Sequence, residues 1–147
     1  MRYCTLDDLL LLIPAKTLAQ LTNDTAPATE PNLRVIERIV EGVEEVIDGG
    51  LRSRYDIPFK LVPTVVRDIT VKIARHEIYT RRPEGKDDLP PAVVRGYKDA
   101  MAMLEAIKSG KMTIGIAATQ AAQPEPGKMR MRARKRVFGD GVLDKFA

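Results

Sequence analysis

Leu33, Ile36, Ile39, Val40, Val43, Val46, Ile47 and Leu51 recur at steps of three and four residues, with Arg34, Arg38, Glu41, Glu44, Glu45 and Asp48 falling largely between them. That period lays an apolar stripe along one side of a helix, and it predicts a long amphipathic helix starting near Pro31 or Asn32. Gly49-Gly50 interrupts the stripe. Each glycine costs about 1 kcal/mol relative to alanine inside a helix, so the pair marks either its end or a weak last turn. A second helix is expected from Pro63, whose ring suits a first helical turn. Val66, Ile69, Ile73 and His76 form its stripe, Val62, Val65 and Tyr79 lie beside it, and Arg81-Arg82-Pro83 closes it. After the charged stretch 84–89, Pro90-Pro91 opens a third helix. Its inward positions are Val93, Val94, Tyr97, Met101, Leu104 and Ile107, and Ser109-Gly110 ends it.

Shorter signals fill the gaps. Thr5-Leu6-Asp7-Asp8 resembles a capping box, with an aspartate where glutamate or glutamine is preferred. Leu6, Leu9, Leu10 and Ile13 give that first short helix one apolar face, and Pro14 ends it or begins the next, which passes through Leu18 and Leu21. Residues 22–32 read as a loop. Residues 56–63 read as an extended connector, because Pro58 and Pro63 disfavour helix on their N-terminal sides. Lys111–Ile116 is expected as a short strand. The fold class that follows is all-α: a small bundle of four to five helices over residues 1–116, a linker over 117–127 rich in small residues and glutamine, and a basic arm over 128–147.

In the arm the period changes. Arg130, Arg132, Arg134 and Arg136 alternate with other residues, and in an extended chain they share one face at intervals of roughly 6.6–7 Å. Lys128, Lys135 and Val137 accompany them, a turn signal follows at Phe138-Gly139-Asp140-Gly141, and Val142, Leu143 and Phe146 make a small apolar end. Three roles fit this pattern: a strand or hairpin added to a partner with an acidic surface, a phosphate-binding element for nucleic acid, or a solvated tail. The candidate partner-binding residues of the arm are therefore Lys128, Arg130, Arg132, Arg134, Lys135, Arg136, Val137, Phe138 and Phe146. On the body, Glu41, Glu44, Glu45, Asp48, Arg81 and Arg82 are candidates for contacts between subunits.

Charge sharpens this division. Seven of the 24 Lys and Arg lie from residue 128 onward against two of the 20 Asp and Glu, so the arm alone carries +5 and the rest of the chain −1. A sequence pI of about 9.3 thus describes the arm and not a generally basic surface. No apolar run approaches the roughly 18–20 residues of a membrane span, and the segment from Leu9 to Ile13 is too short for a secretory signal. A single cysteine, Cys4, excludes an internal disulfide framework and a cysteine-rich zinc site; it reads as a small buried hydrophobe.

Little in the chain points to catalysis. The one histidine, His76, sits on an apolar stripe without a companion nucleophile, so it reads as a core or interface side chain with one hydrogen bond. The carboxylates Glu41, Glu44, Glu45 and Asp48 share a helix face at the spacing a cation would need, yet they lack the histidine or loop oxygens that usually complete a metal site. A solvated face is the simpler expectation. There is no phosphate-binding glycine loop and no nucleophile elbow. No enzyme, catalytic residue, metal or cofactor is expected.

Several segments, in order, resemble the Mu-like phage and prophage head–tail connector family. Ile47-Asp-Gly-Gly-Leu-Arg-Ser-Arg-Tyr-Asp-Ile-Pro58 is similar to the family's helix end with its Leu-x-x-Arg-Tyr and following proline-containing link. Val62-Pro63, Asp68-Ile69 and Ile73-Ala-Arg-His-Glu-Ile-Tyr79 resemble its next helix. Tyr97-Lys98-Asp99-Ala100 through Leu104, Ile107 and Gly110-Lys111 resemble its last helix, and Tyr3-Cys4-Thr5 with Asp7-Asp8-Leu9 its start. The resemblance covers about residues 3 to 116. Gly49-Gly50 and His76 depart from it, the latter standing where an aromatic is commoner.

This resemblance implies a virion neck protein, made in the host cytoplasm, that docks as a ring, expected to be twelvefold, beneath the portal of a DNA-filled head. Its implied partners are the portal protein, copies of itself, and a downstream neck or tail-completion protein, with non-specific contact to DNA in the lumen as a further expectation and no membrane. The alternative class is a small nucleic-acid-binding protein that uses the basic arm. The arm has no base-stacking aromatic before Phe138 and the body has no basic recognition helix, which weighs against specific readout.

Overall fold

A computed structural model of the chain describes residues 1–82 and 89–116. Five helices follow one another: α1 (Leu6–Leu10), α2 (Ala15–Thr22), α3 (Leu33–Leu51), α4 (Thr64–Arg81) and α5 (Pro91–Lys108). The all-α expectation holds for the described residues, and no strand is found among them. Lys111–Ile116 was expected as a short strand and is not one. Gly110 and Gly115 both take positive φ, at 81° and 79°, which bends the backbone out of any ladder. The Met112 N–H turns back to the Ala106 carbonyl at 3.1 Å, and Ile114 tucks into the core. The linker and the arm lie outside the described residues, as does most of the charged loop before Pro90.

The caps explain the helix boundaries. Thr5 accepts from the Asp8 N–H at 3.2 Å while the Asp8 carboxylate accepts from the Thr5 N–H at 2.8 Å, a reciprocal capping box closed by aspartate. Those donors hold the Asp8 carboxyl below its usual range, the Thr5 backbone bond first. Asn32 caps α3, accepting from the Val35 N–H. Pro63 and Pro90 stand at the N-cap positions of α4 and α5 and Pro14 at that of α2, where a missing N–H costs nothing. Gly49-Gly50 proves to be the weak last turn, since α3 runs on to Leu51. A Cβ added at Gly50 would meet Leu104 at 3.5 Å, an ordinary contact, so α3 and α5 approach closely there.

Helix α4 is the centre of the bundle and packs against α1, α2, α3 and α5. Its Val66, Ile69, Ile73, Ala74 and Ile78 meet Ile36, Val40, Val43 and Ile47 of α3, Leu104 and Ile107 of α5, and Leu9, Ile13 and Leu18 from the first two helices in one core cluster. Two members of the expected α3 stripe stay outside it: Leu33 is 50% exposed and Val46 53%. At the far end, α5 stops on Ser109 and turns through Gly110, against whose Cα the Arg54 guanidinium lies. Gly110→Ala forces a side chain into positive φ and into that guanidinium. It is expected to lower stability by about 1 kcal/mol or more, seen as a reduced urea midpoint with an unchanged slope.

Candidate functional site

The residues singled out on the body do two different jobs. At about 100° per residue, Glu44 and Asp48 fall beside the buried edge of α3, and they are not solvated as the sequence pattern suggested. They are only 1% and 2% exposed. The N-terminal segment covers them: Glu44 accepts the backbone N–H of both Arg2 and Tyr3, the latter at 2.8 Å, and the Tyr3 hydroxyl donates to Asp48. The Arg2 guanidinium bridges Glu44 at 3.3 Å, Asp48 at 2.9 Å and the exposed Glu45 at 2.9 Å. Burial, with the Asp48 carboxylate beside it, raises the Tyr3 phenol well above its ordinary range, so it stays a donor. Neither buried carboxylate is free to meet another subunit.

Arg81 and Arg82 are also used within the chain. Arg81 donates to both Asp24 oxygens at 2.6 and 2.7 Å and to the Leu21 carbonyl at 2.8 Å. Arg82 donates to the carbonyls of Gln20 and Asn23. Together they bind the end of α4 to the end of α2, satisfying carbonyls that a helix C-terminus leaves open. Of the six body candidates, Glu41, Glu45, Arg81 and Arg82 remain exposed; Glu41 lies 3.7 Å from Arg38. His76 is mostly buried and stacks on Tyr97 with ring centroids 4.0 Å apart, while its Nδ1 lies 3.3 Å from Glu77. Cys4 is buried, and burial foremost, with the Glu44 and Asp8 charges nearby, pushes its thiol up to about 11. A protonated, covered thiol is a poor nucleophile at neutral pH. No group of three or more His, Cys, Asp or Glu among the described residues is arranged to hold a metal ion.

What the sequence reading missed is a groove of about 1040 Å³ between α3, α4 and α5. Val35, Ile39, Gly42 and Val46 of α3 form one wall, Ile73 and Glu77 of α4 the floor, and Tyr97 and Met101 of α5 the other wall. Arg34, Arg38 and Arg81 stand at its rim. The signal was present in the width of the α3 pattern. The apolar arc from Val35 round to Leu51 spans well over the roughly 100° that one core-facing stripe needs, and the surplus positions are those that line the groove. A residue like Gly42, with nothing within 4 Å of an added Cβ, leaves that wall open.

The apolar groove and the N-terminal clasp form the setting for the comparisons with known proteins. The family model described as Bacteriophage Mu, Gp36 matches residues 3–133. The chain belongs to this family. Gene product J of Escherichia phage Mu is 26% identical over 125 residues, covering 85% of this chain and 84% of that protein. The Mu-like prophage FluMu protein gp36 of Haemophilus influenzae is 26% identical over 112 residues, covering 76% and 74%. The Mu Gp36 match takes in all five helices and continues into the basic segment as far as Ala133, so bundle and first arginines belong to one family unit. Among the described residues no helix is long and apolar enough to cross a membrane.

Proposed function

We propose that this Mu Gp36 family protein is a non-enzymatic structural component of the virion neck, a head–tail adaptor that docks as a ring beneath the portal. The observation that carries the reading is the continuous family match from the N-terminal clasp through the helical bundle into the arginine segment, which ties the chain to phage Mu along most of its length. The ordered resemblance to the connector family points the same way. A closed ring of identical subunits needs two different complementary faces on each copy. The bundle supplies unlike surfaces for that purpose: the apolar groove, the isolated and largely exposed leucines Leu11 and Leu61, and the exposed carboxylates Glu41 and Glu45. The arm adds a row of positive charge that an acidic portal or neighbour surface would complement.

The mass of the purified protein in solution, measured with and without a portal ring, tests this. The expected result is a small free species that assembles into a defined ring only on the portal. A species indifferent to the portal sinks the reading. The two-residue arginine period favours one rival, a DNA-binding arm. Under that rival the same protein binds duplex DNA with an affinity that falls steeply with salt, roughly tenfold for each tenfold rise in salt per phosphate neutralised.

A further inference from the structure

The groove and the tip of α1 complement each other, and we infer that Asp7, Leu11 and Leu12 of one copy of the chain seat in the α3/α4/α5 groove of the next. The tip is both apolar and acidic. Leu11 is 83% exposed and Leu12 39%. The Leu11 N–H donates to the Asp7 carbonyl at 3.1 Å, so the two side chains stand on one face of α1. Asp7 is exposed and has no ion pair among the described residues, and residues 3–15 contain no Lys or Arg.

The groove carries the opposite charge. Arg34, Arg38 and Arg81 stand at its rim, and among the described residues Glu77 is the only acid that lines it. Arg81 is held by Asp24, but Arg38 has only a loose pairing with Glu41 at 3.7 Å and Arg34 has no ion pair among the described residues. Ile39, Tyr97 and Met101 pack on the core with part of their surface and turn the rest to the groove, and Val46 is 53% exposed. The spacing also agrees. Asp7 and Leu11 are four residues apart, about 6 Å along a helix axis, and so are Arg38 and Gly42. With α1 laid parallel to α3 and Asp7 at Arg38, Leu11 falls at Gly42, where an added Cβ meets nothing within 4 Å.

The tip does not meet the groove of its own subunit. Leu9 and Ile13 are wholly buried and hold α1 on its own bundle, with Asp8 in the field of Arg67 near the start of α4. The groove floor, at Ile73 and Glu77, lies roughly 9–15 Å further along that helix, and Leu11 is not among the residues that line it. Two unlike faces at different places on one chain meet between copies, and such a heterologous contact repeats head to tail until it closes. The inference rests on the ring reading for its setting, and it names the two faces that meet there.

Two full-length variants test it, Leu12→Cys and Val46→Cys, both at partly exposed positions. The native Cys4 is buried with its thiol protonated and stays silent. The two chains, one of them isotopically heavy, are mixed and treated with a short thiol-to-thiol cross-linker, as concentrated free protein and again with a portal ring present. The mixed dimer is expected to form about tenfold faster than either like-with-like dimer in at least one of the two samples. Asp7→Arg in the first chain, or Arg34→Asp with Arg38→Asp in the second, should slow it about tenfold, and combining the two reversals should restore most of the rate. Equal rates for the three dimers in both samples overturn the proposal, and so does a charge exchange that restores nothing. The adaptor reading fails separately: wild type indifferent to the portal sinks it, while a mixed dimer in the free sample still upholds this contact.

Discussion

Glu44→Ala is expected to cost the bundle about 2–4 kcal/mol, because it strands a buried backbone donor and removes a charge-assisted pair together. Glu44 is almost wholly enclosed and satisfies the backbone N–H groups of Arg2 and Tyr3 as well as the Arg2 side chain. Without it, the Tyr3 N–H, held in a buried setting, has no acceptor, and the first residues lose their anchor on α3. The neighbouring Asp48 is then left with Arg2 and the Tyr3 hydroxyl in a loosened clasp. The companion change Arg2→Ala should cost less, since that side chain is 40% exposed and water screens its pairs. Glu41→Ala, on the same helix but at the surface, should stay within about 0.5 kcal/mol of the parent. Chemical denaturation of the three variants checks the order. Equal losses for Glu41 and Glu44 would refute the clasp.

Arg132→Glu combined with Arg134→Glu is expected to abolish portal docking while leaving the helical bundle unchanged. Each arginine that loses a charge-assisted bond forfeits about 1.5–3 kcal/mol, and reversal adds repulsion from the acidic surface that the arginines were to meet. Two such losses weaken docking by roughly a hundredfold or more. Far-UV circular dichroism and the urea midpoint should match the parent, because among the described residues the core cluster is built from Tyr3 to Ile114 and includes neither arginine. Portal sedimentation with wild type and variant gives the answer. Normal docking by the doubly reversed arm would remove the arm from the adaptor's mechanism, and a loss of helicity would show that arm and bundle are not independent.

The three long helices were legible because their information is local. The three- and four-residue spacing, the prolines before α4 and α5, and the Thr5–Asp8 box each act within a few residues, and the structure has a helix or a cap at each of them. The burial of Glu44 and Asp48 was not legible. Their partners, Arg2 and Tyr3, lie more than forty residues away, and a carboxylate on a helix looks the same whether water or a distant amide satisfies it. Arg81 and Arg82 were invisible as ties to α2 for the same reason. The groove left a trace in the excess width of the α3 stripe, which assigned Leu33 and Val46 to the core when three neighbours cannot cover so wide an arc. Lys111–Ile116 misled in the other direction, its β-prone residues outweighed by two glycines at positive φ.

The central place of α4 has a consequence for synthesis on the ribosome. The helix that joins α1, α2, α3 and α5 is fourth in chain order. The stretch through α3 therefore emerges before the helix that covers most of its apolar faces, and α3 exposes a row of isoleucines and valines during that interval. Only when Arg81 has left the exit tunnel can the early helices close around α4 and the α2 loop be tied down. At synthesis rates of roughly 5–20 residues per second, that is a window of a second or more in which the nascent chain is most exposed to aggregation and to chaperones. α5 then completes the core with Ala100, Leu104 and Ile107.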